Sequence, residues 1–376
     1  MKTGLYCHIP FCASTCDFCA FYQEKPIRSD LNAYLSGMDL EFKTLGSNQS
    51  LDTIFWGGGT PSLLPAKDLE RLGKTMLQSI DHDFKEWTVE MAPSTVKKDK
   101  LAVLKAMGIT RLSLGVQSFD QDLLTHLGRL HNPNQIYKAW ELIDQSGIEN
   151  TNIDLMFALP NQTLDQLASD LKEAHRLGAS HISTYCLTFE EDTALYVKLS
   201  QGKLKLDVER ERMFYEFAWD TMKSLGFEQY EISNFSNSKE TQCLHNLNTW
   251  KMNNWIGCGP SAASQVDKVR YRNTSSISSW LNGLRSNIPV REEEIKLTES
   301  ILFIDSLVFG LRMNQGINLS ALKAKYPSVT FFDSIDDLMS RLVDEGYLNC
   351  SGDRFVLTRE GQLKCDAIGS ELMQLG

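Results

Sequence analysis

Residues 5–19 read Leu-Tyr-Cys-His-Ile-Pro-Phe-Cys-Ala-Ser-Thr-Cys-Asp-Phe-Cys, and this segment decides how the rest of the chain is interpreted. A short apolar run is followed at once by three closely spaced cysteines, Cys12, Cys16 and Cys19. The residues between them are too polar for a cluster of thiols buried in a core. Clustered cysteines in a chain without a disulfide framework indicate a metal site or redox chemistry. The segment therefore predicts a β-strand that leads into a metal-binding or redox loop.

Three chemistries compete for these thiols. Structural zinc requires four ligands, usually in two separated pairs, so Cys7 or His8 would have to supply the fourth. A thioredoxin-like dithiol would use Cys16 and Cys19 and leave Cys12 unexplained. A [4Fe-4S] cluster takes cysteines at such short spacings, and three thiolates leave one of its four irons open. An open iron can chelate the amino and carboxylate groups of S-adenosylmethionine, and we favour this interpretation.

The composition is that of a globular protein in a reducing compartment. The 376 residues include 38 basic and 48 acidic side chains, a net charge of -10, so the chain lacks the basic footprint of a nucleic-acid-binding protein. Its apolar runs are too short to span a bilayer. The first twenty residues lack the pattern of a secretory signal. Nine cysteines, an odd number, argue against a disulfide framework. We expect a cytoplasmic protein with no transmembrane segment and no nucleic-acid partner.

Behind the cysteines, strand-like and helix-like segments alternate. The strand-like segments are residues 3–9, 53–58, 87–92, 111–117, 152–157 and 181–187. Residues 69–80, 101–107 and 164–177 show helical periodicity. Alternation of this kind predicts parallel βαβ units. Six units form either a doubly wound sheet or an incomplete barrel.

The faces of the strands favour the barrel. Alternate residues of a strand point to opposite faces, and in these segments one face is apolar while the other carries polar residues. A strand buried on both faces would be apolar throughout. Polar faces that converge at the strand ends are typical of barrel enzymes. Edge strands with solvated outer faces are the alternative. We predict an α/β fold, an incomplete (β/α)6 TIM-like barrel with a C-terminal α+β extension.

A glycine run, Gly57-Gly58-Gly59-Thr60-Pro61, follows the second predicted strand. It lacks the lysine of a P-loop and the spacing of a dinucleotide fingerprint. Glycines let a ligand approach the backbone closely, and Thr60 with Pro61 resembles a helix start. A tight βα turn and a ligand site explain the run equally well.

The chain resembles the radical S-adenosylmethionine (SAM) superfamily. Within it, the chain is most similar to the group of oxygen-independent coproporphyrinogen III oxidases and HemW-type heme chaperones. The motifs that carry the resemblance are His8-Ile9-Pro10-Phe11-Cys12, the three-cysteine motif, residues 56–62, Gly115-Val116-Gln117-Ser118-Phe119, Leu127-Gly128-Arg129, Asn152-Ile153-Asp154-Leu155 with Leu159-Pro160, and His245-Asn246.

The resemblance implies a role for specific residues. It assigns a [4Fe-4S] cluster to Cys12, Cys16 and Cys19. The residues that it places around S-adenosylmethionine are Tyr6, Phe18, Gly58, Gly59, Thr60, Glu90, Gln117, Arg129 and Asp154. Tyr6, Glu90, Gln117 and Asp154 are also on the polar faces that strand alternation selects. Glu90 and Asp154 suit the ammonium group and the ribose hydroxyls. Arg129 suits the carboxylate, since its guanidinium is a planar fork.

Two departures from the oxidases favour the HemW-type branch. The oxidases usually carry another cysteine where Phe21 stands, and they have a longer segment before the cluster motif. The HemW-type branch is marked by a His-Asn-x-x-Tyr-Trp segment linked to heme, which here is residues 245–250 with Thr249 in place of the tyrosine. Ala263 also stands where relatives often have histidine. The resemblance makes His245 the candidate heme-iron ligand, and the alternative is that His245 and Asn246 bind a loop between domains.

The resemblance also implies the organisation and the function. We predict a barrel over residues 1–235, a linker and heme-motif segment over 236–295, and a winged-helix-like domain over 296–376 that serves as a lid or docking domain. The predicted function is a cytoplasmic heme chaperone that binds S-adenosylmethionine and heme or another tetrapyrrole, with an electron donor and a heme-acceptor protein as partners. The alternatives are a coproporphyrinogen-oxidase-like radical enzyme and a zinc protein without radical chemistry.

Overall fold

The computed structural model describes residues 3–45, 50–81 and 83–376. Its core is a run of six parallel strands joined by helices. The strands are β1 (Thr3–Ile9), β2 (Thr53–Gly58), β3 (Glu86–Met91), β4 (Arg111–Gln117), β5 (Asn150–Phe157) and β6 (His181–Cys186). The helices between them are α1 (Arg28–Thr44), α2 (Ala66–Leu77), α3 (Lys98–Ala106), α4 (Gln121–His126), α5 (Pro133–Ser146) and α6 (Leu164–Arg176).

Local sequence signals set several of these boundaries. Asn132 begins α5 with a capping box in which its side chain accepts from the amide of Gln135, and Pro133 occupies the first helical position. Thr163 begins α6 with a capping box of the same kind, in which its side chain accepts from the amide of Gln166. Gly147 ends α5 at φ 68°, in the left-handed region that a side chain disfavours.

A middle segment extends the sheet at both of its edges. Its helices are α7 (Ala194–Ser200), α8 (Val208–Ser224), α9 (Leu244–Trp250) and α10 (Ile277–Arg285). Its strands are β7 (Glu228–Glu231), β8 (Asn234–Ser236), β9 (Asn254–Cys258), β10 (Ala263–Val266), β11 (Val269–Asn273) and β12 (Arg291–Lys296). Strand β9 pairs in parallel with β1, and β8 pairs antiparallel with β6. The sheet therefore continues beyond the six core strands on either side.

The C-terminal part has its own small sheet and its own apolar core. Its helices are α11 (Glu299–Arg312), α12 (Leu319–Lys325), α13 (Phe332–Asp344), α14 (Arg359–Leu363) and α15 (Cys365–Met373), and its strands are β13 (Ile317–Asn318), β14 (Leu348–Ser351) and β15 (Arg354–Leu357). The three strands are antiparallel in the order β13-β15-β14. Buried residues from α11, α13 and α15, including Phe303, Met339 and Leu372, form the core. The order of helices and strands is that of a winged-helix-type unit.

The large sheet does not close on itself. Its twelve strands run in the order β12-β11-β10-β9-β1-β2-β3-β4-β5-β6-β8-β7, and within the described ranges no pairing joins the two outermost strands. The outward faces of the core strands are buried against the helices, as Leu5, Trp56 and Leu114 illustrate. The predicted α/β fold, an incomplete barrel with a C-terminal extension, is confirmed.

The boundaries and spans agree with the prediction to different degrees. The predicted strands 3–9, 53–58 and 111–117 have the observed limits. Beyond the six core strands, β7 and β8 form a short antiparallel hairpin. The predicted division at residue 235 falls inside β8, and the three-domain division stays a prediction. Among the helices of the described residues, none combines the length and apolarity that a membrane span needs.

Candidate functional site

A pocket with a volume of about 630 Å³ opens at the carboxyl ends of the parallel strands. Loops after β1, β2 and β3 form one side of it, and the ends of β4, β5 and β6 form the other. The predicted site residues that line it are Cys12, Cys16, Cys19, Phe18, Gly58, Gly59, Thr60, Glu90, Gln117, Arg129 and Asp154. Tyr6 and His245 do not line it. The structure therefore brings together eleven of the thirteen predicted residues. These eleven come from a stretch of 143 positions, between Cys12 and Asp154.

The three thiols occupy one loop, which is fastened to its surroundings by backbone bonds. The amide of Cys12 donates to Glu24 (3.0 Å), and the amide of Asp17 donates to Leu127 (3.1 Å). The thiol of Cys16 accepts from Arg129 Nη1 (3.3 Å). Burial raises the pKa of Cys12, and the positive charge of Arg129 opposes this rise. A guanidinium beside the loop favours the thiolate form that a metal cluster needs.

No group of three or more His, Cys, Asp or Glu side chains in the described ranges is arranged to hold a single metal ion. A four-iron cluster holds its ligand sulfurs further apart than a single ion does. The sulfurs of Cys12, Cys16 and Cys19 line one pocket, and this placement suits the larger group.

Packing explains the glycine run behind the cysteines. A Cβ on Gly59 would lie 2.7 Å from the carbonyl oxygen of Ile9, and one on Gly58 would collide with the ring of His8. Gly58 also has a φ of 97°, which L-residues rarely adopt. The turn is therefore tied to the end of β1, where the amide of Gly59 donates to Ile9 (2.9 Å). The same two glycines form part of the pocket wall, so the turn and the ligand interpretations apply together.

His8 and Tyr6 support the loop from below. His8 Nε2 lies 3.1 Å from the carbonyl oxygen of Tyr22, and His8 Nδ1 lies 3.1 Å from the hydroxyl of Tyr6. Nε2 therefore donates to the carbonyl, and the Tyr6 hydroxyl donates to Nδ1. Burial lowers the pKa of His8, which keeps the ring neutral. The structure places Tyr6 behind the pocket wall, where it fixes the cluster loop through His8.

Two half-buried carboxylates, Glu90 and Asp154, face the pocket and form no ion pair within the described chain. Glu90 accepts from the amide of Gly58, and burial together with the charge of Asp154 raises the pKa of Glu90 to about 8. Burial also raises the pKa of Asp154, although Ser113 Oγ (2.9 Å) and Asn152 Nδ2 (2.7 Å) donate to it. Neither carboxylate forms an ion pair with a described lysine or arginine, although the positive charge of Arg129 opposes the rise in the pKa of Asp154. The two carboxylates repel each other when both are ionised, so this pair suits a cationic ligand.

Polar atoms on the opposite wall also lack partners. Gln117 Oε1 and Arg129 Nε are buried and make no hydrogen bond within the described chain. Gln117 adopts a φ of 67° at a register shift of β4, a strained conformation of the kind that clusters at functional sites. The guanidinium of Arg129 is held by the carbonyl oxygen of Gly115 (2.6 Å). Together with the carboxylates of Glu90 and Asp154, these atoms fit the amino, carboxylate and hydroxyl groups of S-adenosylmethionine.

His245 lies at the other end of the barrel. It is buried in α9, and its Nδ1 lies 3.0 Å from the hydroxyl of Thr53, the first residue of β2. Since a strand rises about 3.3 Å per residue, the five-residue step from Thr53 to Gly58 separates His245 from the pocket by roughly 17 Å. Burial lowers the pKa of His245 to about 4. The structure does not bring His245 to the cluster loop, and it favours the alternative in which this histidine fastens one part of the chain to another.

The segment around His245 plugs the amino end of the barrel through a buried ion pair. Arg111 Nε donates to Glu86 (3.0 Å), and Arg111 Nη2 donates to the carbonyl oxygens of Thr241 (2.7 Å) and Gln242 (3.0 Å). Glu86 in turn accepts from the amide of His245 (2.9 Å). We call residues 241–250 the plug. A polar chamber of about 170 Å³ lies above it, and Glu90 and Asp154 line both the chamber and the pocket.

Some pocket residues had not been identified from the sequence. Tyr185, on β6, lines the pocket, and its hydroxyl accepts a hydrogen bond from the side chain of Gln117. It lies on the same face of its strand as His181 and Ser183, so strand alternation could have selected it. Phe21, Met156 and Glu190 also line the pocket. Phe21 was noted only as a departure from the oxidases.

Comparison with known proteins identifies relatives over the whole length. Residues 6–174 match the radical SAM superfamily, and residues 305–363 match the HemN C-terminal domain. The heme chaperone HemW of Bacillus subtilis is 32% identical over 375 residues, which cover 96% of this chain and 97% of that protein. The heme chaperone HemW of Escherichia coli is 29% identical, with 96% and 95% covered.

A solved structure shares the fold. Coproporphyrinogen III oxidase (HemN) from Escherichia coli, described as a radical SAM enzyme, matches with a TM-score of 0.82 over 99% of this chain and 90% of that chain. The identity is 21%, so this likeness speaks for the fold alone.

Proposed function

Because this chain belongs to the HemW family of the radical SAM superfamily, we propose that it is a heme chaperone that carries a [4Fe-4S] cluster and binds S-adenosylmethionine and heme. The observation that carries the proposal is the pocket at the carboxyl ends of the strands. There, three thiols on one loop share a pocket with two half-buried carboxylates that form no ion pair within the described chain. This combination suits a ligand with a positive charge held next to a metal cluster.

The residues of the pocket divide the work between cluster and cosubstrate. Cys12, Cys16 and Cys19 would hold the cluster. Glu90 and Asp154 would accept hydrogen bonds from the ammonium group and the ribose hydroxyls, and Arg129 would bind the carboxylate. Bound to such a cluster, S-adenosylmethionine supplies a 5′-deoxyadenosyl radical on reduction. Phe18, between two of the cysteines, would shield the cluster from water.

The heme-related part of the proposal rests on the relatives. The proteins matched over nearly the full length of this chain are named heme chaperones. A chaperone of this kind requires an acceptor protein, and use of the cluster requires an electron donor. We propose that the protein works in the cytoplasm, since a cluster held by thiolates needs a reducing environment.

Anaerobic reconstitution tests the cluster first. About four irons and four sulfides per chain are expected for the wild type. Cys12→Ser is expected to lose most of this iron, whereas Cys350→Ser, which changes an exposed thiol outside the pocket, keeps it. A colourless product that binds one zinc ion would contradict the proposal and support the zinc alternative.

Ligand binding tests the rest. The reconstituted protein should bind S-adenosylmethionine in calorimetry, and hemin should give a shifted Soret band. Anaerobic incubation with coproporphyrinogen III, S-adenosylmethionine and a reductant should give no protoporphyrinogen. Formation of protoporphyrinogen would replace the chaperone with the oxidase-like enzyme, and an unshifted Soret band would remove the heme function.

A further inference from the structure

We propose that Tyr230 and His181 are positioning residues for S-adenosylmethionine, since they hold the carboxylate of Asp154 through a chain of hydrogen bonds. The inference rests on the proposed function, in which Asp154 binds the cosubstrate. It adds two residues that do not line the pocket themselves. Three observations carry it: the continuity of the chain, the direction of its bonds, and the burial of its members.

The chain is continuous across three strands. The hydroxyl of Tyr230, on β7, lies 2.7 Å from His181 Nε2, on β6. His181 Nδ1 lies 2.7 Å from Oδ1 of Asn152, its partner in the register of β5 and β6. Asn152 Nδ2 donates to Asp154 Oδ1 (2.7 Å), two residues further along the same face of β5. Three contacts therefore connect a tyrosine outside the pocket to a carboxylate that lines it.

The surroundings of Asn152 fix the direction of these bonds. The backbone amide of Ser183 donates to Asn152 Oδ1 (3.0 Å), and a backbone amide can only donate. Oδ1 is therefore the acceptor of the side-chain amide, and Nδ2 is its donor. His181 must then donate from Nδ1 to Oδ1. Burial lowers the pKa of His181, so the ring is neutral and its Nε2 accepts.

The chain begins on the backbone of the plug. Since His181 Nε2 accepts, the hydroxyl of Tyr230 is its donor. The same hydroxyl accepts from the backbone amide of Cys243 (3.2 Å). The hydroxyl therefore donates once and accepts once, and its orientation is set by a group that cannot reverse its role. From Cys243 to Asp154, each bond has a single direction.

Asn152 acts on both oxygens of the Asp154 carboxylate. Its Nδ2 donates directly to Oδ1 and also donates to Ser113 Oγ (2.8 Å). Ser113 Oγ in turn donates to Oδ2 (2.9 Å). The orientation of one amide plane thus determines how the carboxylate faces the pocket. A ligand-binding group needs such support, because small displacements of the group weaken binding.

The members of the chain that lie outside the pocket are buried. His181 is 2% exposed, Asn152 is 5% exposed and Tyr230 is 7% exposed. A buried group that loses its partner bears the cost of desolvation, so these bonds hold one another in one arrangement. The chain therefore serves as a fixed support for the carboxylate.

The affinity of the reconstituted protein for S-adenosylmethionine tests the proposal. Tyr230→Phe removes the hydroxyl and keeps the ring, and its Kd should rise about twofold to tenfold, as for one lost hydrogen bond. His181→Leu removes two bonds and should raise the Kd about tenfold to a hundredfold. His181→Asn carries an amide NH₂ group close to the position of Nδ1 and should recover most of that loss. Calorimetry measures the Kd, and iron analysis verifies that each variant holds the cluster.

Tyr326→Phe is the matched control. Tyr326 is also buried (6% exposed), and its hydroxyl lies 3.3 Å from Ser306 Oγ in the C-terminal core. This variant loses a buried hydroxyl of the same kind and should leave the Kd unchanged. Thermal melts should show similar losses of stability for Tyr230→Phe and Tyr326→Phe. The affinity therefore separates a positioning role from a general structural one.

A combined variant tests whether Tyr230 acts through His181. If it does, adding Tyr230→Phe to His181→Leu should raise the Kd by less than about twofold further, because the bond between the two residues is already absent. A combined effect equal to the product of the two single effects would show that they act independently, and it would overturn the chain.

The outcomes distinguish this inference from the function on which it rests. If the cluster-loaded wild type does not bind S-adenosylmethionine, the proposed function fails and the positioning role fails with it. If the wild type binds it, and Tyr230→Phe and His181→Leu bind it equally tightly, the function stands and the positioning role is overturned. Equal losses of affinity in Tyr230→Phe and Tyr326→Phe would overturn the role as well, because affinity would then follow stability.

Discussion

The two ends of the barrel differ in how their charged side chains are paired. At the amino end, Glu86 and Arg111 pair with each other, and Glu86 and Arg111 Nη2 also bind the backbone of the plug, while Arg111 Nη1 has no hydrogen-bond partner in the described chain. At the carboxyl end, Glu90 and Asp154 are half-buried and neither forms an ion pair within the described chain, although the charge of Arg129 acts on Asp154. Burial alone therefore does not identify a functional residue. The difference is whether the protein itself supplies the partner.

The same difference affects the histidine that the sequence singled out. His245 has its partner in Thr53 and its backbone amide on Glu86, so the protein satisfies it internally. Arg129, in contrast, retains a buried Nε without an acceptor in the described part of the chain. Buried polar groups are usually satisfied within the protein, so one that lacks a partner and also faces a pocket, as Arg129 Nε does, is a candidate to bind a ligand.

The largest expected effect comes from breaking the ion pair at the amino end. Glu86→Ala leaves the Arg111 charge buried without its carboxylate, with side chains only 2% and 5% exposed in the intact pair. We expect the free energy of unfolding to fall by about 3–5 kcal/mol, as for other buried pairs that lose one partner. Urea denaturation of the apoprotein measures it.

The neighbouring residue offers the control. Lys85 forms an exposed pair with Asp52, and Lys85→Ala should change the free energy of unfolding by about 0–1 kcal/mol. If the two variants have similar stabilities, the amino end is not held by its ion pair, and the contrast between the two ends disappears.

The carboxyl end should respond to pH instead. Burial, aided by Asp154, raises the pKa of Glu90 to about 8 from an unfolded value near 4.5. The stability that Glu90 contributes is therefore fully present below pH 4.5 and is lost as the pH rises through 8. The expected loss is about 1.4 kcal/mol for each pH unit between the two values. In Glu90→Gln the slope measured in urea titrations from pH 5 to 8 should fall by this contribution, while Glu41 keeps its own and binding of S-adenosylmethionine weakens.

Glu41 is the matched control for this carboxylate. It is also buried, and burial raises its pKa to about 7, but the amide of Gly259 and the side chains of Asn273 and Trp280 all donate to it. A glutamine there would direct its own NH₂ group at donors, so Glu41→Gln should destabilise the protein. If Glu90→Gln destabilises the apoprotein as strongly, Glu90 has an internal partner and is not reserved for a ligand.

The smallest expected effect concerns Tyr185. Its hydroxyl accepts from Gln117, and Tyr185→Phe removes that bond while it keeps the ring. A single neutral hydrogen bond contributes about 0.5–1.5 kcal/mol, so the affinity for S-adenosylmethionine should fall about twofold to tenfold in calorimetry. Tyr196→Phe, on α7 outside the pocket wall, should not change it. An unchanged affinity in Tyr185→Phe would mean that Gln117 is positioned without it.

Strand alternation in the sequence predicted most of the fold and much of the site. It selected Glu90, Gln117 and Asp154 because a residue's face in a parallel strand depends only on its position in that strand. The pattern could not separate Tyr6, which points the same way but lies behind the wall. The depth at which a side chain sits depends on its neighbours, here His8 and Phe55, and these contacts arise only in the folded chain.

Sequence patterns could not decide the role of the plug. A histidine and an asparagine beside a tryptophan are equally consistent with a ligand site and with a structural segment. The choice is decided by contacts such as that between Thr53 and His245, which lie 192 positions apart. The three cysteines of the cluster loop, in contrast, lie within eight residues of one another. Their spacing alone therefore indicates a shared site, whereas the role of His245 depends on contacts with distant residues.

The late position of the plug has a consequence for synthesis on the ribosome. Arg111 binds the carbonyl oxygen of Thr241, 130 residues further along the chain. At about 5–20 residues per second, the ribosome needs roughly 7–26 s to add that length. During this interval the nascent barrel has an open amino end, with Glu86 and Arg111 in contact with water. Translation that stops before residue 241 leaves a product whose cluster loop is complete but whose amino end is never sealed.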